Sequence, residues 1–200
     1  MHDIQRAGKQ TAFAPLDLVP VRPFAKERVA IAAEPYVEPV VPPALLALIQ
    51  REYPQYKIVQ ASDIDLNNCE EPKRHPGLVE GDFNGDSRTD YAVLLKSEKR
   101  PTKYKGKVLE AVKVKFAIFL GRQGGKFQRI HLESFLQSPD HIIVGLAPAP
   151  PGVVKESQVL GDKTVTLEHQ GILKYHCGKF ADVYYWNGKT KRFELIRVVE

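Results

Sequence analysis

Leu109-Glu110-Ala111-Val112-Lys113-Val114-Lys115-Phe116-Ala117-Ile118-Phe119-Leu120 carries the clearest β signature in the chain. A strand turns successive side chains to opposite faces, so Lys113 and Lys115 can meet water while Val112, Val114 and Phe116 meet a core. Comparable runs lie at 56–61, 91–95, 127–132, 164–167, 181–186 and 192–198. Asn187-Gly188, between Tyr184-Tyr185-Trp186 and Arg192-Phe193-Glu194-Leu195, predicts a hairpin with a tight primed turn. Gly121-Arg122-Gln123-Gly124-Gly125 predicts a second hairpin, joining the strand at 109–120 to the one at 127–132. The expectation is an antiparallel sheet built mainly from neighbours in sequence.

One helix precedes these strands. In residues 43–53, Leu45, Leu48, Ile49 and Tyr53 recur on one face, Pro43 suits a first helical turn, and Pro54 ends the run. So short an amphipathic helix is marginal alone in water, so its stripe must be buried on the sheet. The fold class expected is therefore α+β: mainly antiparallel β-sheet, an N-terminal helix packed on it, and a long extended leader. Seven of the fifteen prolines fall between Pro15 and Pro43. Residues 1–40 consequently read as a Pro-rich extended or disordered leader, and 41–200 as a single domain. The proline cluster at 148–151 reads as a loop within that domain.

A length of 200 residues, with 43% hydrophobic and 26% charged side chains, is that of an ordinary globular chain. Apolar runs such as 116–120 are far too short for a membrane span. The net charge of +5 is unevenly spread: residues 43–95 hold five basic and nine acidic side chains, and 96–200 hold nineteen basic and ten acidic. An acidic stretch can pair with its basic surroundings or hold a hard cation, and local spacing must decide.

That spacing is found in Asp82-Phe83-Asn84-Gly85-Asp86-Ser87-Arg88-Thr89-Asp90, with side-chain oxygens at positions 1, 3, 5 and 9. A tightly wound loop can turn Asp82, Asn84 and Asp86 inward, with the Arg88 carbonyl and the Asp90 carboxylate completing a cage. Oxygen donors alone favour calcium over zinc, and over the stricter octahedron of magnesium. Gly85 gives the freedom for a sharp turn. The competing reading is an Asn/Asp-rich turn held by side-chain bonds to its own backbone, without metal.

Gly81-Asp82-Phe83-Asn84-Gly85-Asp86, running into Asp90-Tyr91-Ala92-Val93-Leu94-Leu95, resembles the FG-GAP and VCBS-type calcium segment. The resemblance covers about fifteen residues and implies ligand roles for Asp82, Asn84, Asp86, Arg88 through its backbone, and Asp90. Ser87 stands where that family usually has glycine, and no second well-formed copy occurs, so a closed propeller is not expected. A single copy followed by the Tyr184-to-Lys189 hairpin looks like small uncharacterised exported bacterial proteins.

Other constellations are weaker. Asp63, Asp65, Asn67 and Glu71 echo the alternate-oxygen pattern without a glycine and read as solvated turn or cap residues before a second ion site. The run from Lys96 to Lys115 has eight basic residues against Glu98 and Glu110, and reads as a solvated loop, next as a surface for an acidic protein. Nucleic acid is disfavoured, since Tyr104 is the one ring in its flexible-looking part. Gly188-Lys189-Thr190 and Gly124-Gly125-Lys126 sit between strands and read as turns, not phosphate loops. His176-Cys177 shows no partner for a thiol nucleophile, and His131, His141 and His169 lack ligand spacing. Cys69 and Cys177 either bridge, which requires an oxidising compartment, or are two unrelated buried thiols.

The expectation for function is a noncatalytic, calcium-stabilised binding or inhibitor-like domain with an unidentified protein partner. The alternative is a metal-dependent hydrolase using the acidic loop for a catalytic ion or substrate. A lone loop of this type suits the calcium levels found outside the cytosol, which favours an extracellular or periplasmic protein. The chain as given shows no signal segment at its start, where Met1 to Lys9 is polar; a cytoplasmic protein is the alternative.

Overall fold

A computed structural model describes residues 40–64, 75–138, 142–157, 161–177 and 179–198, which belong to one unit running from Tyr36 to Glu200. The single α-helix among them, α1 (Pro43–Glu52), is followed by β1 (Tyr56–Ile58), β2 (Leu78–Gly81), β3 (Asp90–Ser97), β4 (Arg100–Tyr104), β5 (Lys107–Arg122) and β6 (Lys126–Gln137). These six strands form the first sheet, and every pairing in it is antiparallel. The long β5 is its spine: β4 pairs with 107–111, β3 with 114–119, and β6 with 112–122. A second antiparallel sheet has the order β12 (Arg192–Val198), β11 (Phe180–Asn187), β10 (Gly171–His176), β7 (Val144–Ala149). A separate hairpin consists of β8 (Gly152–Lys155) and β9 (Thr164–Leu167).

The two sheets meet face to face. From β5, Val112, Val114, Phe116, Ile118 and Leu120 pack against Val144, Leu146, Ile172 and Tyr184 of the second sheet. Lys113 and Lys115 alternate with this buried set as the sequence predicts, and Val114 and Phe116 are fully buried. On the other face of β5, Ala117 and Phe119 join Val93 and Leu95 to receive Leu45, Ile49 and Tyr53 of α1. The outer face of the second sheet presents Val183, Tyr185 and Ile196 to Val154, Val165 and Leu167 of the β8–β9 hairpin. The layers therefore run helix, sheet, sheet, hairpin. Antiparallel β-sheet dominates, and the one helix is a minor cover, so the α+β expectation holds in its coarse form.

Five strands are missing from the sequence reading, and each lacks polar/apolar alternation for a physical reason. β10 is buried on both faces: Ile172 and Lys174 look to the sheet interface, Leu173 and Tyr175 to the outer clusters. β7 contains Pro148, which an edge strand tolerates because one side of its backbone needs no partner. β8 and β2 are four residues each. β4 is exposed nearly throughout and is held by its ladder to β5, which corrects the solvated-loop reading of the basic run.

The Asn187-Gly188 turn is also corrected. β11 and β12 are joined by residues 188–191, with Lys191 N–H donating to the Asn187 carbonyl at 2.8 Å. The Asn187 side-chain oxygen accepts from Lys189 N–H at 2.9 Å and Thr190 N–H at 3.2 Å, winding a helical turn. The left-handed residue is consequently Lys191, φ 55°, and not Gly188. The hairpin between β5 and β6 forms as expected, with Gly124 and Gly125 both left-handed. Of the expected leader, all but Val40 lies outside the described residues, as do Asp65, Asn67, Cys69, Glu71 and His141.

Candidate functional site

The acidic segment is the hairpin loop between β2 and β3, with Gly81 and Asp90 paired across its neck. Two left-handed residues curl it, Gly85 at φ 75° and Ser87 at φ 63°. Phe83 is fully buried between the two sheets and pins the loop from below. From the side, His169 lies so close to Gly85 that a Cβ there would stand 2.2 Å from its Nε2, so glycine is required by space as well as by dihedral angle. Gly121 of β5 is likewise pressed against the Thr89 carbonyl oxygen, 2.5 Å from an added Cβ. Gln170 donates to the Glu80 carbonyl at 3.0 Å, tying the β9–β10 turn to the loop's neck.

Within the loop, backbone donors converge on the alternate side chains. Asp82 Oδ1 accepts from Gly85 N–H at 2.8 Å and Asp86 N–H at 3.1 Å, and Oδ2 accepts from Ser87 N–H at 2.7 Å. Asn84 Oδ1 accepts from Asp86 N–H at 3.0 Å, and Asp86 Oδ1 from Arg88 N–H at 3.1 Å. The Asp86 carboxylate also meets the Arg88 guanidinium at 3.1 Å, with Arg122 at 3.9 Å. Asp90 turns the other way, into the protein, where it is fully buried. Its Oδ2 accepts from Phe83 N–H at 3.0 Å and its Oδ1 from Gly121 N–H at 2.8 Å. Burial pushes the Asp90 carboxyl up to about 6 against the pull of those two N–H groups, and the charges of Asp86 and Asp82 push the same way.

The structure thus brings Asp82, Asn84 and Asp86 to one loop and sets Asp90 beneath it as a backbone clasp. Among the described residues, no three His, Cys, Asp or Glu side chains gather closely enough to hold an ion by themselves. The expected set adds the Asn84 amide and the Arg88 carbonyl. A carboxylate oxygen has about two lone pairs. Each N–H bond uses one, which leaves acceptor capacity on Asp82 Oδ2, Asn84 Oδ1 and Asp86 Oδ1. In donor chemistry these residues fit a hard cation, which would relieve the crowding of negative charge around Asp90.

A buried polar cluster between the sheets escaped the sequence reading. Lys174 and Asp182 are 3% and 2% exposed, on neighbouring strands, and their charged ends lie 3.3 Å apart. Lys174 pairs with Glu133 of β6, across the sheet interface, and the Tyr184 hydroxyl donates to the same Glu133 oxygen at 3.2 Å. Arg197 grips Asp182 through Nε at 2.7 Å and Nη2 at 3.3 Å. Burial alone would raise the Asp182 carboxyl, but Arg197 and Lys174 outweigh it and hold the group below its ordinary value. His176 stands at the margin, its Nε2 buried and 4.0 Å from Asp182. Burial first, then Lys174, bring His176 down to about 4, so it is neutral at pH 7. The missing signal was a lone lysine on a strand buried on both faces, which periodicity does not separate from a surface lysine.

The remaining candidates resolve individually. Asp63 accepts from Gln60 N–H at 2.8 Å and pairs with Lys96, in keeping with a cap role at a short 3₁₀ turn. Cys177 is disulfide-bonded, which removes the thiol-nucleophile reading; the sequence holds one other cysteine, Cys69. His131 meets Ser134 at 3.2 Å on the outer face of the first sheet. Tyr184 and Tyr185 are buried, and Trp186 packs edge-on against Phe193, so core packing accounts for the aromatic hairpin. Gly124-Gly125-Lys126 and Gly188-Lys189-Thr190 are turns. Compared with family models, curated proteins and solved structures, the chain matches none.

Proposed function

We propose that the chain is a noncatalytic, calcium-stabilised binding domain that works outside the cytosol, with Asp82, Asn84, Asp86 and the Arg88 carbonyl as the cation's ligands and the inward-facing Asp90, expected from the sequence to be a fifth, as the clasp beneath them. The observation that carries this reading is the winding of the loop. Five backbone N–H bonds, which the metal-free turn would also make, hold alternate oxygens of Asp82, Asn84 and Asp86 on one hook, anchored by buried Phe83 and Asp90. A hook already wound loses little chain entropy on gripping an ion. The disulfide at Cys177 suits an oxidising compartment, and so supports export. The resemblance to the FG-GAP and VCBS-type segment points the same way.

Calcium acts here as a clasp for the β2–β3 hairpin. The test is thermal unfolding in millimolar calcium against chelator, with isothermal titration alongside. Calcium should raise the melting temperature by several degrees, and Asp82→Ala or Asp86→Ala should abolish the rise. Equal melting temperatures in calcium and in chelator, with no titration heat, would remove the cation and leave the loop a self-bonded turn.

A further inference from the structure

The end of the first sheet remote from the acidic loop holds a second candidate site. β3 starts beside the loop and ends at Ser97, so the two ends lie about 24 Å apart at ~3.4 Å per residue. There the outer face runs past the end of α1 into a cleft of about 420 Å³, bordered by Gln55, Tyr56, Arg100, Thr102, Lys113 and Ser134. Tyr56 also borders a neighbouring cleft of about 380 Å³, where Leu46, Ile49 and Ile58 lie beside Lys57 and the Lys96–Asp63 pair, in which Asp63 is neutralised by its partner. A cationic compartment and one with an apolar floor therefore share a wall.

The cations of the first compartment are short of counter-charge. Arg100 donates to the neutral Gln55 side chain at 2.7 Å. Lys113 and Lys115 stand alternately on β5, and among the described residues neither has a carboxylate partner. Lys115 instead lies over the rings of Tyr53 and Tyr56, at 4.8 and 4.7 Å. Burial lowers the His131 imidazole, and Lys115, Arg129 and Lys113 lower it further, which marks local positive potential. Beyond the cleft the β4–β5 ribbon adds Lys103, Lys105 and Lys107, together with exposed Tyr104 and Leu109. Among the described strands β4 pairs with β5 alone, so one backbone edge of the ribbon remains open to an added strand.

We propose that this pair of clefts is a docking groove for an extended acidic segment of a partner protein, with carboxylates on Arg100 and Lys113 and an apolar side chain among Leu46, Ile49 and Ile58. Charge complementarity selects the acidic partner, and the apolar compartment selects a peptide over a phosphate polymer. Nucleic acid would need a series of open stacking rings, whereas Lys115 covers Tyr53 and Tyr56, and Tyr104, exposed on the ribbon, lies under Lys105. The groove does not depend on the calcium reading, because none of its residues belongs to the loop.

Fluorescence anisotropy on the full chain tests the groove. The probe is a labelled glutamate-rich peptide with one leucine, compared with its glutamine counterpart, a single-stranded oligonucleotide, and vesicles of anionic lipid. The glutamate peptide should bind most tightly, and more weakly as salt rises. Arg100→Ala with Lys113→Ala should weaken it at least tenfold, while Lys155→Ala on β8 with Lys189→Ala in the β11–β12 turn leaves it unchanged. If the alanine pair fails to fold, Arg100→Gln with Lys113→Gln repeats the measurement. Absence of glutamate-peptide binding, equal binding of the glutamine peptide, unchanged affinity in the double variant, or preference for oligonucleotide or vesicles would each overturn the proposal.

Discussion

Asp90 is the residue on which the acidic loop closes. It satisfies two buried N–H groups at once, and a buried donor left without an acceptor costs about 1–3 kcal/mol. Asp90→Ala in chelator should therefore lower the unfolding free energy by roughly 2–5 kcal/mol, and Asp90→Asn, which keeps one acceptor, by about half as much. Urea unfolding measures both; a loss under ~1 kcal/mol for the alanine variant would show that the clasp is dispensable. His176 gives the residue scale its pH dependence. Its folded value, about 4, lies below the ordinary 6.5, so the unfolded chain binds the proton more readily between these limits. The contribution of the neutral imidazole is full above pH 6.5 and is lost as the pH falls toward 4. It amounts to roughly 3 kcal/mol at 1.36 kcal/mol per pKa unit. Asp90, raised to about 6, contributes in the opposite sense over the same interval, so the test is a difference: followed at pH 7, 5.5 and 4.5, the native chain should lose stability relative to His176→Gln as the pH falls. Parallel profiles would exclude His176 as the cause.

At the scale of elements, α1 was legible and β4 was not, for the same physical reason. Leu45, Leu48, Ile49 and Tyr53 repeat at helical spacing because the helix has one wet face, and the structure buries Leu45, Ile49 and Tyr53 on the first sheet. Leu45→Ala should cost about 2–5 kcal/mol, as for other buried leucines, whereas Leu46→Ala, at a position 41% exposed, should stay within about 0.5 kcal/mol. Equal effects from the two would mean that α1 is not docked as described. β4 buries almost nothing, so no periodicity marks it; its order comes from hydrogen bonds to β5 and from a turn in which Lys105 and Gly106 are both left-handed. β10 fails in the opposite sense, since burial of both faces erases the contrast that periodicity reads.

For the whole molecule, what matters is how the two sheets are fixed in register. Apolar packing around Phe116 holds them together without direction, whereas Lys174, reaching across to Glu133 while touching Asp182, is directional. Lys174→Met should cost roughly 3 kcal/mol, because it removes the cation shared by Asp182 and Glu133 and leaves Arg197 as the remaining charged partner of Asp182. The same loss should be much smaller when Glu133→Gln accompanies it, and a double-mutant cycle in urea measures the difference. A cycle without coupling would show that the lysine stabilises only its own sheet.

The sequence by itself determined what depends on local contrast. This includes the helix stripe, the alternation of Val112 to Phe116, the positions of the two glycine-bearing hairpins, and the loop in which Asp82, Asn84 and Asp86 alternate. Each is written in the order of neighbouring residues, so periodicity or spacing exposes it. Tertiary structure alone decided that Asp90 faces inward onto Phe83 and Gly121, that His169 presses on Gly85, and that Lys174 meets Glu133. It also decided that the basic run lies beside the end of α1, where Tyr56 divides a cationic cleft from an apolar one. These contacts join residues tens of positions apart. Their partners are chosen by how whole sheets and covers stack, and no local pattern records that choice.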